Sequence, residues 1–108
     1  MTTNIDMIKG DTMSFGLEIE GLDQSLASAY FSVRDSLSSD AYIFQKSIGD
    51  GITEAETGRY VIRIAPEDTQ NLSAGRYFYD FEVGVNNDVF TLLIGMLTIE
   101  DEVTIHNE

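Results

Sequence analysis

The residues that could do chemistry are few. The chain holds one histidine, His106, 19 acidic residues and no cysteine. A histidine is the usual general base near neutral pH. His106 stands close to the end of the sequence, where a solvated tail is the expected setting. A Ser/His/Asp arrangement would have to recruit it, and no Gly-x-Ser-x-Gly elbow is present. Gly-x-x-x-x-Gly-Lys is absent too, so no phosphate loop is expected. Thiolate zinc sites and thiol nucleophiles are ruled out by composition. The acidic stretch "GDGITEAETG" brings Asp50, Glu54 and Glu56 together, and Ca²⁺ takes several oxygen ligands. The spacing is not that of an EF-hand loop, and a solvated acidic loop is the expected reading. No catalytic, cofactor-binding or metal-ligating residue is therefore assigned, and the chain is not expected to be an enzyme.

The wider composition narrows the partners. The 108 residues suit one domain over 1–108, and the hydrophobic fraction of 43% is that of an ordinary globular chain. Six Lys and Arg against 19 acids leave a net charge of −13. Such a field repels nucleic-acid backbones and anionic membranes. It favours solubility or a basic partner. No stretch reaches the roughly 18 apolar residues of a membrane helix, and "MTTNIDMIKGD" lacks the pattern of a signal peptide. Synthesis in the cytoplasm is expected.

The elements that would position any site follow a period of two. In "TMSFGLEIE", Met13, Phe15, Leu17 and Ile19 alternate with polar or small residues, predicting a strand over about 12–20. Ala29, Phe31 and Val33 form a second buried set. Residues 41–48 read as an edge or surface-covering strand, with Tyr42, Phe44 and Lys46 on one side and Lys46 discouraging edge pairing. In 59–65, Tyr60, Ile62 and Ile64 point inward. Residues 75–85 carry Tyr77, Tyr79, Phe81, Val83 and Val85 on one face. Residues 88–99 are apolar on both faces, which predicts a central or doubly covered strand. "NIDMIK" and the closing "VTI" are candidate terminal strands. Asp50-Gly51 and "VNNDV" are turn signals, and Pro66 opens a helical turn over 66–71. Seven or so short strands predict an all-β, antiparallel, immunoglobulin-like sandwich of the fibronectin type. The disulfide and tryptophan of antibody domains are missing.

One phrase within this pattern reads as architecture. In "NLSAGRYFYDFEV", Leu72, Gly75 and Tyr77 fit a tyrosine corner. A ring fills the core edge while its hydroxyl returns to the preceding loop. Leu72 would anchor the corner and Gly75 would let the chain pass closely. Tyr77→Phe is then expected to cost about 1–3 kcal/mol, through a buried loop group left unpaired. Phe78 lies on the opposite face from Tyr77 and Tyr79, so they form no continuous sugar-stacking platform.

Several phrases together, "KGDTMSFGLEI", "AYFSVRD", "FQKSIGDGI", "IAPEDTQNLSAGRYFYDFEV" and "FTLLIGMLTI", resemble small immunoglobulin-like domains of phage and prophage tails and baseplates of Gram-positive bacteria. The N-terminal domain of baseplate upper proteins is one example. The resemblance implies a non-catalytic structural or assembly role in a virion assembled in the host cytoplasm. Its partners would be other tail proteins or further copies of the chain, without nucleic acid, membrane or cofactor. By the same resemblance, Gly10-Asp11-Thr12 leads into the second strand and Pro66 to Tyr77 forms the crossover and corner. Baseplate upper proteins continue into long trimerising and receptor-facing regions, whereas this sequence stops at Glu108. An assembly module needs a free edge to give away, and Tyr42 and Phe44 mark 41–48 as the candidate. The alternative is a carbohydrate- or cell-surface-binding sandwich using exposed tyrosines such as Tyr30 or Tyr42.

Overall fold

Alternation in the sequence becomes alternation in burial. A computed structural model of the chain describes residues 3–36, 38 and 41–101. Its strands are β1 (Ile5–Ile8), β2 (Met13–Glu18), β3 (Ser28–Arg34), β4 (Phe44–Ile48), β5 (Gly51–Glu56), β6 (Arg59–Ile64), β7 (Gly75–Val85) and β8 (Asp88–Glu100). One helical turn, α1 (Pro66–Thr69), joins β6 to β7. In β6 every second residue is buried, so Tyr60, Ile62 and Ile64 face the core and Val61 and Arg63 face out. The same rule buries Ala29, Phe31 and Val33 in β3 and Tyr79, Phe81 and Val83 in β7.

The strands are hydrogen-bonded in the order β1-β8-β7-β3-β4-β5-β6-β2. The ladder from β4 to β5 is short, with Ser47 opposite Gly51 and Ile48 opposite Ile52. The order folds over there, and β5, β6 and β2 come to cover the other five strands. Phe15 of β2 and Phe31 of β3 are far apart in the strand order, yet their rings meet edge to face at 5.6 Å. Phe31 also packs on Tyr79 at 5.2 Å. The result is an immunoglobulin-like β-sandwich, mostly antiparallel. Each large apolar side chain sealed between the layers contributes about 1.5–3 kcal/mol.

The local signals explain the connections. Asn86 and Asn87 both take positive φ, at 52° and 67°, and close the β7–β8 hairpin. Two consecutive left-handed residues match the strand twist, and asparagine tolerates them. At α1, Pro66 opens the turn and the Asp68 carboxylate accepts the Ala65 N–H at 2.7 Å. Thr69 is fully buried, and its hydroxyl accepts the Gly10 N–H at 2.9 Å. That bond pins the turn after β1 to the crossover.

Three expectations need correction. The acidic stretch is strand β5, not a loop, which brings the described strands to eight. Its pairing with β6 needs only one buried side chain, Ile52, while Thr53 to Glu56 stay exposed. Lys46 does not guard an edge. Opposite Phe31 in the register, it turns inward to an ion pair with Asp68 at 2.7 Å, with both side chains largely buried. Strand β8 is neither central nor doubly covered. It is next to last in the order, and β1 pairs only with Leu97 to Glu100. The closing "VTI" and His106 lie outside the described residues.

Candidate interaction surface

The outer face of the larger layer is built from alternate residues of β8, β7, β3 and β4. Because register fixes the face, Ile94 lies beside Asp80, Met96 beside Phe78, and Phe78 beside Arg34. Ile94 is 52% exposed and Tyr30 is 39% exposed. Phe78 and Met96 are half-buried. A shallow hollow of about 130 Å³ opens between Ser32, Arg34, Phe78, Asp80 and Ile94. The Arg34 Nε is buried there and has no hydrogen-bond partner among the described residues. A buried donor left unpaired costs about 1–3 kcal/mol, more when charged.

A second surface follows from the short reach of β1. Among the described residues, the N-terminal segment first meets β8 where the Thr3 N–H donates to the Ile94 carbonyl, at 3.1 Å. From Asp88 to Leu93 the outer edge of β8 has no neighbouring strand among the described residues. The outer edge of β2 likewise has no neighbouring strand among the described residues, as β2 ends the strand order. Between these edges runs a groove of about 310 Å³ lined by Leu17, Ile19, Leu92 and Leu93 with Glu18 and Glu20. A register shift between Phe81 and Glu82 leaves Leu92 as the extra residue of a bulge. The bulge lets consecutive leucines reach the groove, which plain alternation would not allow.

The N-terminal segment is held by a contact that depends on Gly95. The Tyr79 hydroxyl donates to the Thr3 carbonyl, and a Cβ on Gly95 would overlap that carbonyl. Burial raises the Tyr79 pKa above the ordinary value of 10.0.

The residues singled out from the sequence fall as follows. The Tyr77 hydroxyl donates to the Ser73 carbonyl, four residues upstream, at 2.6 Å, and its ring packs half-buried against the core. Leu72 is half-buried, and its N–H closes the turn on the Thr69 carbonyl at 2.9 Å. Gly75 does not serve a close approach. A Cβ there would meet nothing within 4 Å, and the glycine is suited instead to a φ of +150°. Ser73 is exposed, so Tyr77 pairs no buried loop group. Tyr42 and Phe44 separate: Tyr42 is 53% exposed, whereas Phe44 packs half-buried against the core.

A buried tie the sequence reading missed belongs to Tyr60, which is 1% exposed. Its hydroxyl accepts the buried Leu26 N–H at 2.9 Å and donates to Glu54 Oε2 at 3.0 Å. Its pKa lies above 10.0, chiefly because burial disfavours the phenolate; the Leu26 N–H pulls the other way and Glu54 adds to the rise. A tyrosine at an inward strand position needs a partner for its hydroxyl, and that was the available signal. Glu54 also accepts from Ser25 at 3.0 Å, and Glu56 pairs with Arg59 at 3.2 Å. Two of the three acids considered for Ca²⁺ are thus already engaged. Among the described residues no group of three or more His, Cys, Asp or Glu is placed to hold a metal ion.

Comparison with models of known protein families finds no match, and comparison with curated proteins finds none either. Solved structures do match, in 73 chains. One is the extracellular domain of the voltage-gated sodium channel beta4 subunit, whose parallel homodimer structures explain its role in cell-cell adhesion. It is 16% identical, covers 94% of this chain and 93% of that one, and superposes with a TM-score of 0.51. Another is CopC from Methylosinus trichosporium OB3b, at 14% identity, 95% and 89% coverage and a TM-score of 0.55. At such identities the likeness is one of fold, and a fold this widely shared does not choose a function. The chain has the immunoglobulin-like sandwich fold.

Proposed function

We propose that the chain is a non-catalytic assembly module acting through protein–protein contact, as a component of a phage or prophage tail or baseplate. The observation that carries the contact role is the outer face of β8, β7 and β3. There exposed Ile94 stands with half-buried Phe78 and Met96 near Arg34, and Tyr30 is exposed further along β3, opposite Glu82. Exposed apolar residues on one sheet face suit a protein partner better than open water. The net charge of −13 works against tight self-association at low salt and favours a more basic partner. The virion setting rests on the resemblance of the sequence to tail and baseplate domains. That a beta4 subunit of the same fold forms homodimers is an analogy for the use of such a face.

The test is capture of tail proteins from a lysate of phage-producing cells by the immobilised chain, with its mass followed by light scattering. Recovery of a defined tail component, lost on Ile94→Asp, supports the reading. A chain that stays monomeric and retains no virion protein overturns it, and saturable binding on a glycan array would then favour the carbohydrate alternative.

A further inference from the structure

The free edge of β8 is unusual in its chemistry. Exposed edges are normally guarded by lysine, proline or shortness, because unpaired backbone groups template further strands. The run "DVFTLL", Asp88 to Leu93, contains neither lysine nor proline. It ends in a bulge at Leu92, but Val89 and Phe90 before it stand 65% and 49% exposed. The register places Phe90 on the inner face, opposite buried Val83, where a covering strand would normally seal it. The edge of β2 offers less, since its exposed positions are Ser14, Gly16 and Glu18. Among the described residues, an unpaired edge, an uncovered inner face and an apolar groove therefore converge at β8.

The charge beside the groove selects the occupant. Past Glu18 and Glu20 the groove continues into a polar cleft of about 330 Å³ that also contains Glu56 and Arg59. Among the described residues Arg59 is the only cation lining it, and it is shared between Glu18 and Glu56, at 3.2 Å each. Three carboxylates against one guanidinium leave a net negative end.

We propose that the β8 edge from Asp88 to Leu93 accepts an extended segment of a partner protein by strand addition. The segment's alternate apolar side chains fill the groove over Leu17, Ile19, Leu92 and Leu93, and a lysine or arginine at one end reaches Glu20. Main-chain pairing supplies affinity, and the groove and acidic end supply selectivity. The inference deepens the assembly reading and names a surface distinct from the outer face around Ile94.

The probe is a fluorescein-labelled peptide about ten residues long, alternating valine and threonine and ending in two lysines. Two controls carry glutamates for the lysines or a central proline. Fluorescence polarisation should show saturable binding by the parent chain. The glutamate control and Glu20→Lys should each weaken it several-fold, while the proline control and Leu92→Lys should abolish it. Circular dichroism of each variant checks that the fold is intact, and amide shifts on adding peptide should cluster at Asp88 to Leu93. Equal binding of the glutamate and lysine peptides, or shifts confined to the outer face, overturns the proposal, as does absence of binding at millimolar peptide. If the peptide fails while capture of tail proteins still depends on Ile94, only the groove is refuted. If the peptide binds and capture fails, the assembly reading falls instead.

Discussion

Replacing Tyr60 by phenylalanine removes one oxygen atom from a buried polar contact between β6 and the Leu26 backbone. The ring stays, so no cavity opens. What is lost is the acceptor for the Leu26 N–H, and Leu26 is 7% exposed. A buried N–H left unpaired costs about 1–3 kcal/mol. The other partner costs little, because exposed Glu54 keeps its bond to Ser25 and otherwise returns to water. The Tyr77→Phe change makes the internal comparison. Its acceptor, the Ser73 carbonyl, is on an exposed residue and water can replace the hydroxyl, so the loss is that of an ordinary hydrogen bond, about 0.5–1.5 kcal/mol. Urea midpoints of both variants and the parent, at matched slope, give the order directly. The expected order is parent, then Tyr77→Phe, then Tyr60→Phe. A Tyr60→Phe midpoint equal to that of the parent, or a larger loss at Tyr77, would refute the burial argument.

Further expectations concern charge, pH and the N-terminal segment. Because the folded pKa of Tyr60 lies above its unfolded value of 10.0, its contribution is complete below pH 10 and is lost as pH rises through the folded value. Stability should therefore fall above about pH 10, and Tyr60→Phe should flatten part of that fall in a series of urea titrations. Lys46→Met strands the buried Asp68 carboxylate and should cost toward the lower end of about 3–5 kcal/mol, as Ala65 still donates to it. Adding Asp68→Asn should recover part of the loss. Gly95→Ala pushes on the Thr3 carbonyl and should speed amide exchange in β1 while leaving β3 and β7 protected. Protection of β1 equal to that of the parent would contradict the close approach.

Much of this fold was legible because the signals were local. Met13 to Leu17, Ala29 to Val33 and Tyr60 to Ile64 carry apolar residues at every second position, and those positions turned inward in each strand. The asparagines of "VNNDV" allowed the hairpin, and Pro66 opened the turn. What was not legible depends on partners distant in the chain. Strand β5 has one buried residue, Ile52, so its identity comes from β6 rather than from its own pattern. Lys46 looks like an edge guard until the crossover brings Asp68 to it. The two-faced hydrophobicity of β8 resembles a central strand, yet β8 is next to last in the order and among the described residues β1 pairs only with Leu97 to Glu100. The candidate surface moved accordingly, from Tyr42 and Phe44 to the edge and outer face of β8.

The most direct measurement of the assembly role is incorporation into particles. Particles would be purified from a host in which the gene encodes either the parent chain or Ile94→Asp, and the chain quantified by mass spectrometry against a major tail protein. A fixed stoichiometric ratio is expected for the parent and its loss for the variant, with both chains equally soluble in the cell extract. A parent chain absent from particles, or a variant incorporated as well as the parent, would contradict the assembly role.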